Sequence, residues 1–364
     1  MKPRVLFVGR NHYRLPLDPS LARKWDALSE RFDLRVLASG TGSDPRFELH
    51  PPGRFDGPRF YAGLPGRIAR ELRTYRPDAV VTQSPFEAFA AVLARRRARS
   101  LVKVILEVHG DWHTSTRLYG SPSRRLFGPL GDRVAGWAVR HADTHRTVSE
   151  FTASLVRAEG REPVAIFTTY SDLGAFTGPT VPVPAAPRVV FVGVLERYKN
   201  VEVLAEAWRL VARRVPEAQL HLIGSGRQVE VAEGLAREGV TWDRRLPPAE
   251  VAAAMDGARA LLLPSASEGL PRVAIESFLR GRAVVGSRAG GIPDIVEDDV
   301  NGLLVPPGDA DALAAAIQRI VTDSALAERL GAAAGVAAAS WVSTPDEYAD
   351  RMRALVETAL GTRS

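Results

Sequence analysis

The chain has no cysteine among its 364 residues. Disulfides, thiolate metal sites and a cysteine nucleophile are thereby excluded, and the lack fits a reducing compartment. No apolar run approaches the roughly 20 residues that a membrane-spanning helix needs. The apolar stretch near the start, Val5-Leu6-Phe7-Val8, is too short for a secretory leader and lacks a small-residue cleavage site. It reads as a first strand, and the expectation is a cytoplasmic protein. Also missing is a Gly-x-Gly-x-x-Gly turn after that strand, where the loop is Gly9-Arg10-Asn11-His12. That absence argues against a nicotinamide-dependent oxidoreductase.

What is present is ordinary globular material, 45% hydrophobic and 25% charged, in a chain long enough for two cores. The net charge of +6 is unevenly placed. Residues 1–180 hold 28 of the 48 Lys and Arg and 18 of the 42 Asp and Glu, a balance of +10, which leaves −4 for the rest. A basic half suits an anionic partner such as a phosphorylated or lipid-linked acceptor, a headgroup surface or nucleic acid. Arg67, Arg70, Arg73 and Arg76 recur every third residue on an expected helix, as a membrane-facing or simply solvated face. Arg95-Arg96-Arg97 lies on another expected helix without interleaved aromatics, a weak nucleic-acid signal, and no nucleic acid is expected as a partner.

Short apolar runs alternate with amphipathic stretches. Strands are expected at Arg4–Val8, Leu34–Ala38, Asp78–Thr82, Val102–Val108 and Thr144–Val148, with helices at Ser20–Arg31, Glu87–Arg97 and Arg124–Arg140 between them and another from Ser149. The rhythm breaks in a proline-rich stretch, Gly178-Pro-Thr-Val-Pro-Val-Pro-Ala-Ala-Pro187, which reads as an interdomain linker. It then restarts with strands Val189–Val192, Gln219–Ile223, Ala260–Leu263, Ala283–Gly286 and Leu303–Val305. Three helices close the chain, at Ala310–Thr322, Leu326–Ala339 and Pro345–Leu360. A βαβα order implies parallel sheets covered on both faces. The division is an N-terminal domain over 1–172, completed by a helix over 345–364, a linker over 173–187 and a second domain over 188–344. Ligands of such sheets sit beyond the carboxyl ends of the strands, which makes a cleft between two such domains the expected site.

Four strand ends carry chemistry. Ser267-Glu268-Gly269-Leu270-Pro271 follows one strand and opens a helix near Arg272, with Glu276 one turn in. A helix start suits phosphate. Two carboxylates make sense there as partners of sugar hydroxyls on either side of the phosphates, although alone they could be a cap and a solvated face. Gly193-Val194-Leu195-Glu196-Arg197-Tyr198-Lys199-Asn200 places two cations beside another helix start, as a phosphate clamp would. Leu222-Ile223-Gly224-Ser225-Gly226 is a glycine turn, weak by itself. Glu107-Val108-His109-Gly110-Asp111-Trp112-His113 puts His109 at a strand end, where it could reach a ligand. His109, His113 and Asp111 lie in a loop without further ligands, so no metal is expected.

The pattern Glu268, seven residues, Glu276, then Gly281-Arg-Ala-Val-Val-Gly-Ser-Arg-Ala-Gly-Gly-Ile-Pro-Asp-Ile-Val296 and Asn301-Gly-Leu-Leu-Val-Pro-Pro-Gly-Asp309 resembles family 4 retaining glycosyltransferases of the GT-B fold. The resemblance is close in the C-terminal half and architectural in the N-terminal half. It implies two doubly wound Rossmann-like domains facing across a cleft, and a nucleotide sugar, a uridine diphosphate sugar first, as co-substrate with no other cofactor. It implies that Glu268 bonds the donor sugar and Glu276 the ribose. Backbone amides near Arg272 and Val273, beside Gly269 and Leu270, would hold the diphosphate. Arg197 and Lys199 would neutralise the leaving group, with Gly193 allowing close approach. Arg245 and Leu246 would contact the base, His109 would sit under the sugar, and Gly9 would line the diphosphate. Trp341 and the last helix would cross back to the N-terminal domain. The sequence departs from the family at Val194, where many relatives carry Arg. It departs again at the Gly9 loop and at Tyr170-Ser171-Asp172-Leu173. Transfer to an acceptor hydroxyl with retained anomeric configuration is the activity implied. Sugar-nucleotide epimerase or phosphorylase on the same fold is the alternative, and a nucleic-acid-binding protein the remote one.

Overall fold

The structure is a computed structural model that describes residues 2–53, 56–114 and 124–361. It divides into two compact units. Of the described residues, one comprises those up to Asp172 together with those from Ser343 on, and the other comprises 173–342.

The first unit is built on a seven-stranded parallel sheet. Its strands are β1 (Arg4–Arg14), β2 (Asp33–Thr41), β3 (Phe47–His50), β4 (Ala79–Thr82), β5 (Lys103–Val108), β6 (Thr144–Thr147) and β7 (Ala165–Ile166), in the order β3-β2-β1-β4-β5-β6-β7. Alternation along β1 feeds two cores. Val5 and Phe7 point to the side covered by helices Pro19–Arg31 and Pro345–Leu360. Leu6 and Val8 point to the side covered by Asp56–Thr74, Pro85–Ala98 and Arg124–His141. The last helix begins at a reciprocal cap between Thr344 and Glu347. Trp341 does not travel with it. Its ring packs against the core of the second unit, and the chain changes unit only after Val342.

The second unit has a six-stranded parallel sheet: β8 (Arg188–Val192), β9 (Gln219–Ile223), β10 (Thr241–Asp243), β11 (Ala260–Leu263), β12 (Ala283–Ser287) and β13 (Gly302–Val305), in the order β10-β9-β8-β11-β12-β13. The proline-rich stretch is not a loose connector. Leu173 and Phe176 are buried in this unit, and three buried arginines receive the following carbonyls. Arg280 donates to Phe176 O and Pro179 O, Arg282 to Val181 O and Pro182 O, and Arg259 to Pro184 O and Ala185 O. Prolines cannot donate backbone bonds, so the strap is held by its acceptors.

Other expectations need correction. β1 runs on through the Gly9 loop to Arg14, with a register shift between Val8 and His12. β3, β7, β10 and helix Pro248–Asp256 carry too few patterned residues to stand out in sequence. The four arginines at three-residue spacing do not form one face. Arg67 is largely buried and holds Glu48 at 3.1 Å, while Arg76 lies beyond the helix with φ 53°. Arg95 pairs with Asp143, and Arg96 lies 4.8 Å over the Trp137 ring. Those two of the three consecutive arginines are thus engaged within the chain.

Candidate active site

In the second unit, β8 and β11 are neighbours in parallel register. Their carboxyl-terminal loops therefore emerge side by side, and the chain ties them together. Ala266 N donates to Tyr198 O at 2.7 Å. Asn200, at φ 51°, donates its side-chain amide to Pro264 O at 3.0 Å. Lys199 Nζ meets Glu268 Oε1 at 2.6 Å, and Ser265 Oγ donates to the same oxygen at 2.8 Å. The Lys199 and Glu268 side chains are only 9% and 12% exposed. Both of these bonds fall on Oε1, which leaves Oε2 free to accept.

Glycines make this approach possible. Gly193 lies under the Lys199 side chain, since a Cβ there would come within 3.4 Å of Lys199 Cε. Gly224, at φ +152°, has the Gly193 carbonyl where a Cβ would stand, 1.8 Å away. The glycine turn after β9 thus seats the clamp loop on its neighbour. After β12, Gly290 at φ +56° fits against the Glu268 backbone, and Gly291 N donates to Glu268 O at 2.8 Å.

The helix Arg272–Leu279 starts after Pro271 with no side-chain cap, as does Val201–Arg214 after Asn200. Two sets of helix-start amides therefore stand at the same end of adjacent strands. Both suit an anion. Glu276 is buried and accepts from Arg272 Nε at 2.7 Å. Burial pushes its carboxyl above the ordinary range, and the Arg272 guanidinium offsets part of that rise. Arg197 is exposed and makes no ion pair among the described residues. Gly269, Leu270 and Val273 lie between the two carboxylates in sequence and are half-buried. Arg245 and Leu246 stand apart, in the loop after β10 at the sheet edge, with Arg245 exposed and Leu246 packed on the core.

The remaining two expected residues belong to the first unit. Gly9 lies within the irregular part of β1, where Gln83 Oε1 occupies the place of a Cβ at 2.3 Å. His109 follows β5, with Thr169 Oγ1 3.3 Å from Nδ1 and Glu107 Oε2 3.7 Å from Nε2. His113 turns away to Asp132 at 3.0 Å, so the loop histidines do not converge. Sequence reasoning passed over the buried charges behind His109. Glu107 and Arg146 are register partners on β5 and β6 and bond at 2.8 Å, both essentially unexposed. Burial would raise the Glu107 carboxyl, but Arg146, His109 and Lys24 overcome it and hold it near 2. Lys24 is buried over the Trp25 and Tyr348 rings, and desolvation lowers its ammonium to about 8. The available signal was a carboxylate inside the mostly apolar strand β5; β6, Thr144-His145-Arg146-Thr147, is polar throughout and gave none.

Two Rossmann-like units of this topology define the GT-B fold. Known structures agree with it. Sucrose-phosphate synthase from Thermosynechococcus elongatus superposes with a TM-score of 0.78, at 21% identity over 100% of both chains. Anabaena HepE in complex with UDP-glucose gives 0.70, at 18% identity over 97% of this chain and 99% of that one. Residues 20–169 match the model described as Glycosyltransferase Family 4, and residues 186–323 match that described as Glycosyl transferases group 1. The chain belongs to this family of glycosyltransferases. A D-inositol 3-phosphate glycosyltransferase of Corynebacterium urealyticum is 30% identical over 220 residues, 53% of this chain and 51% of the relative. The chain thus spans about half the length of the curated relative it matches. The matching models and these proteins do not favour the epimerase or phosphorylase readings.

Proposed function

We propose that the chain is a retaining glycosyltransferase that takes a sugar from a nucleoside diphosphate and places it on an acceptor hydroxyl. The observation that carries this reading is the joined pair of loops after β8 and β11. They bring Lys199, Glu268 and the uncapped start of helix Arg272–Leu279 together, with Glu276 one turn further. A diphosphate is the anion that suits two helix starts with Lys199 and the exposed Arg197 beside them. Glu268 Oε2 is the acceptor for sugar hydroxyls, and Glu276 the one for ribose. Arg245 and Leu246 face the base, a uridine by likeness to HepE, which was solved with UDP-glucose. His109 and Gly9 are assigned to the sugar and the diphosphate, as the family resemblance implies.

In the proposed reaction the bond from the anomeric carbon to the diphosphate breaks. The bond to the acceptor oxygen forms on the same face, and the acceptor proton goes to the departing phosphate oxygen. The protein's part is to orient the reactants and to stabilise charge on the leaving diphosphate. An anionic acceptor suits the +10 balance of residues 1–180. A thermal-shift panel of nucleotide sugars and free nucleotides tests the donor site. At a hundred times its Kd a true donor stabilises the fold by about 2.7 kcal/mol. A UDP-sugar is expected to raise the melting temperature of the wild type and not of Glu276→Ala. No response to any uridine or guanosine diphosphate sugar would overturn the proposal.

A further inference from the structure

Behind His109 the side chains close into a ring. β5 and β6 run parallel with Glu107 opposite Arg146, and alternation puts Glu107 and His109 on the same side of β5. Arg146 Nη1 donates to Glu107 Oε1 at 2.8 Å, and both Nη atoms lie 3.3 Å from Thr169 Oγ1. Phe167 O takes a further bond from Arg146 at 2.7 Å and its ring stacks on the guanidinium, so the arginine is fixed from several sides. A guanidinium has donors only. Thr169 Oγ1 is therefore an acceptor towards Arg146, and its own O–H is left to give. The atom it faces is His109 Nδ1 at 3.3 Å. Nδ1 must then accept, which leaves the ring proton on Nε2. Nε2 is sealed from solvent, without a hydrogen-bond partner among the described residues, and its neighbour is Glu107 Oε2 at 3.7 Å.

We infer that Glu107 and Thr169, both held by Arg146, are positioning residues that fix the orientation and the Nε2–H tautomer of His109. The ring makes a closed sequence of donors and acceptors: Arg146 to Thr169, Thr169 to Nδ1, Nε2–H towards Glu107, and Glu107 back to Arg146. Lys24 from helix Pro19–Arg31, Tyr13 from β1 and Tyr348 from the last helix are the other titratable groups that act on the carboxylate. The strong field of Arg146 keeps Glu107 ionised, so the side facing Nε2 is an acceptor over the whole range in which proteins work. The effect on rate rests on the reading of His109 as a donor-sugar contact, whereas the tautomer rests on geometry alone.

The test uses the full chain labelled with ¹⁵N-histidine, with His109→Gln to assign the signals, and long-range ¹H–¹⁵N spectra of the imidazoles. In the wild type, Nδ1 of His109 is expected at the shift of an unprotonated nitrogen and Nε2 at that of a proton-bearing one. Thr169→Val removes the hydroxyl and leaves the buried ion pair intact. It should draw both shifts towards a common average, and Thr169→Ser should restore them. With UDP-glucose as probe, Glu107→Gln and Thr169→Val should slow donor hydrolysis about tenfold, the loss typical of groups that orient a functional histidine. The donor KM should change by less than about threefold, as for a group that acts in the chemical step. A wild-type proton on Nδ1, or a Thr169→Val spectrum like the wild type's, overturns the inference. If Glu107→Gln does not fold, Thr169→Val decides, and if UDP-glucose is not hydrolysed the spectra decide. Wild-type hydrolysis by His109→Gln, with the spectra as expected, sinks the sugar contact and spares the ring. Slow His109→Gln beside wild-type rates and spectra in Thr169→Val does the reverse.

Discussion

Lys199 and Arg197 are both assigned to the diphosphate, but the structure gives them different second roles, and replacing each by alanine should separate them. Lys199 is nearly buried and lies 2.6 Å from a carboxylate that is itself 12% exposed. Lys199→Ala leaves Glu268 with Ser265 as its remaining donor among the described residues. Leaving a largely buried charged group without its partner costs about 1–3 kcal/mol, below the 3–5 kcal/mol of a fully buried pair. For a unit of this size each kcal/mol moves the midpoint by about 2–4 °C, so the second unit should melt roughly 2–12 °C lower. Arg197 is exposed and unpaired among the described residues, and its alanine variant should stay within about 0.5 kcal/mol of the wild type. For transfer the two should resemble each other. In the proposed site each removes a charge assigned to the leaving group, a loss of roughly 10²–10³ in kcat, or about 2.7–4 kcal/mol. Calorimetry reads the first quantity and release of nucleoside diphosphate at saturating donor the second. The double variant Lys199→Ala/Glu268→Ala should regain part of the lost stability, because the stranded carboxylate leaves too. A Lys199→Ala protein that melts like the wild type, or transfers sugar within threefold of it, refutes the clamp as drawn.

Two further outcomes follow from buried charge. The Lys24 pKa is lowered in the fold to about 8 by desolvation, so the unfolded chain holds the proton at pH values where the native one has released it. Stability should therefore rise with pH between about 8 and 10.5, and the wild type should gain about 3 kcal/mol over Lys24→Met across that window. Glu107, held near 2, has the opposite limb. Its contribution is complete above about 4.5 and is lost as pH falls through 2, so Glu107→Gln should remove about 3 kcal/mol of acid sensitivity in urea melts. Beside the strap, Arg282 is 1% exposed and bonds carbonyls of the strap, of the end of helix Pro248–Asp256 and of Arg280. Arg282→Met should cost the second unit about 3–5 kcal/mol by urea unfolding, since it orphans buried acceptors together.

The alternation of strands and helices was legible because it is repeated. Parallel strands buried on both faces must be apolar, and each of Val189–Val192, Gln219–Ile223 and Ala260–Leu263 is found within a residue of its expected ends. Short edge strands lack that signature, as β7 shows with two residues. How the strap is held was not legible, for a physical reason. Proline excludes helix and central strand, but it does not exclude an extended segment held through its carbonyls. The donors that hold it lie about 75 to 104 residues away, and nothing local announces them.

The site divides in the same way. Lys199, Glu268 and Glu276 could be picked out because strand-end loops and helix starts are local features, and their mutual geometry follows from β8 and β11 being neighbours. What the residue types alone could not convey is that Lys199 and Glu268 hold each other in the free protein. On the proposed reading, a donor must therefore compete with, or share, an existing bond. This arrangement has a consequence for specificity. Oε1 is already engaged by Lys199 and Ser265, so under the proposed assignment a sugar hydroxyl would be offered chiefly Oε2, in an orientation fixed before it arrives. The carboxylate behind His109 follows the same logic from the other unit, with Arg146 in the part of the fixed donor. In one place the carboxylate assigned to the sugar, and in the other the carboxylate behind the histidine assigned to it, is held by a buried cation, so the cost of ordering each is met in folding and not at the moment of binding.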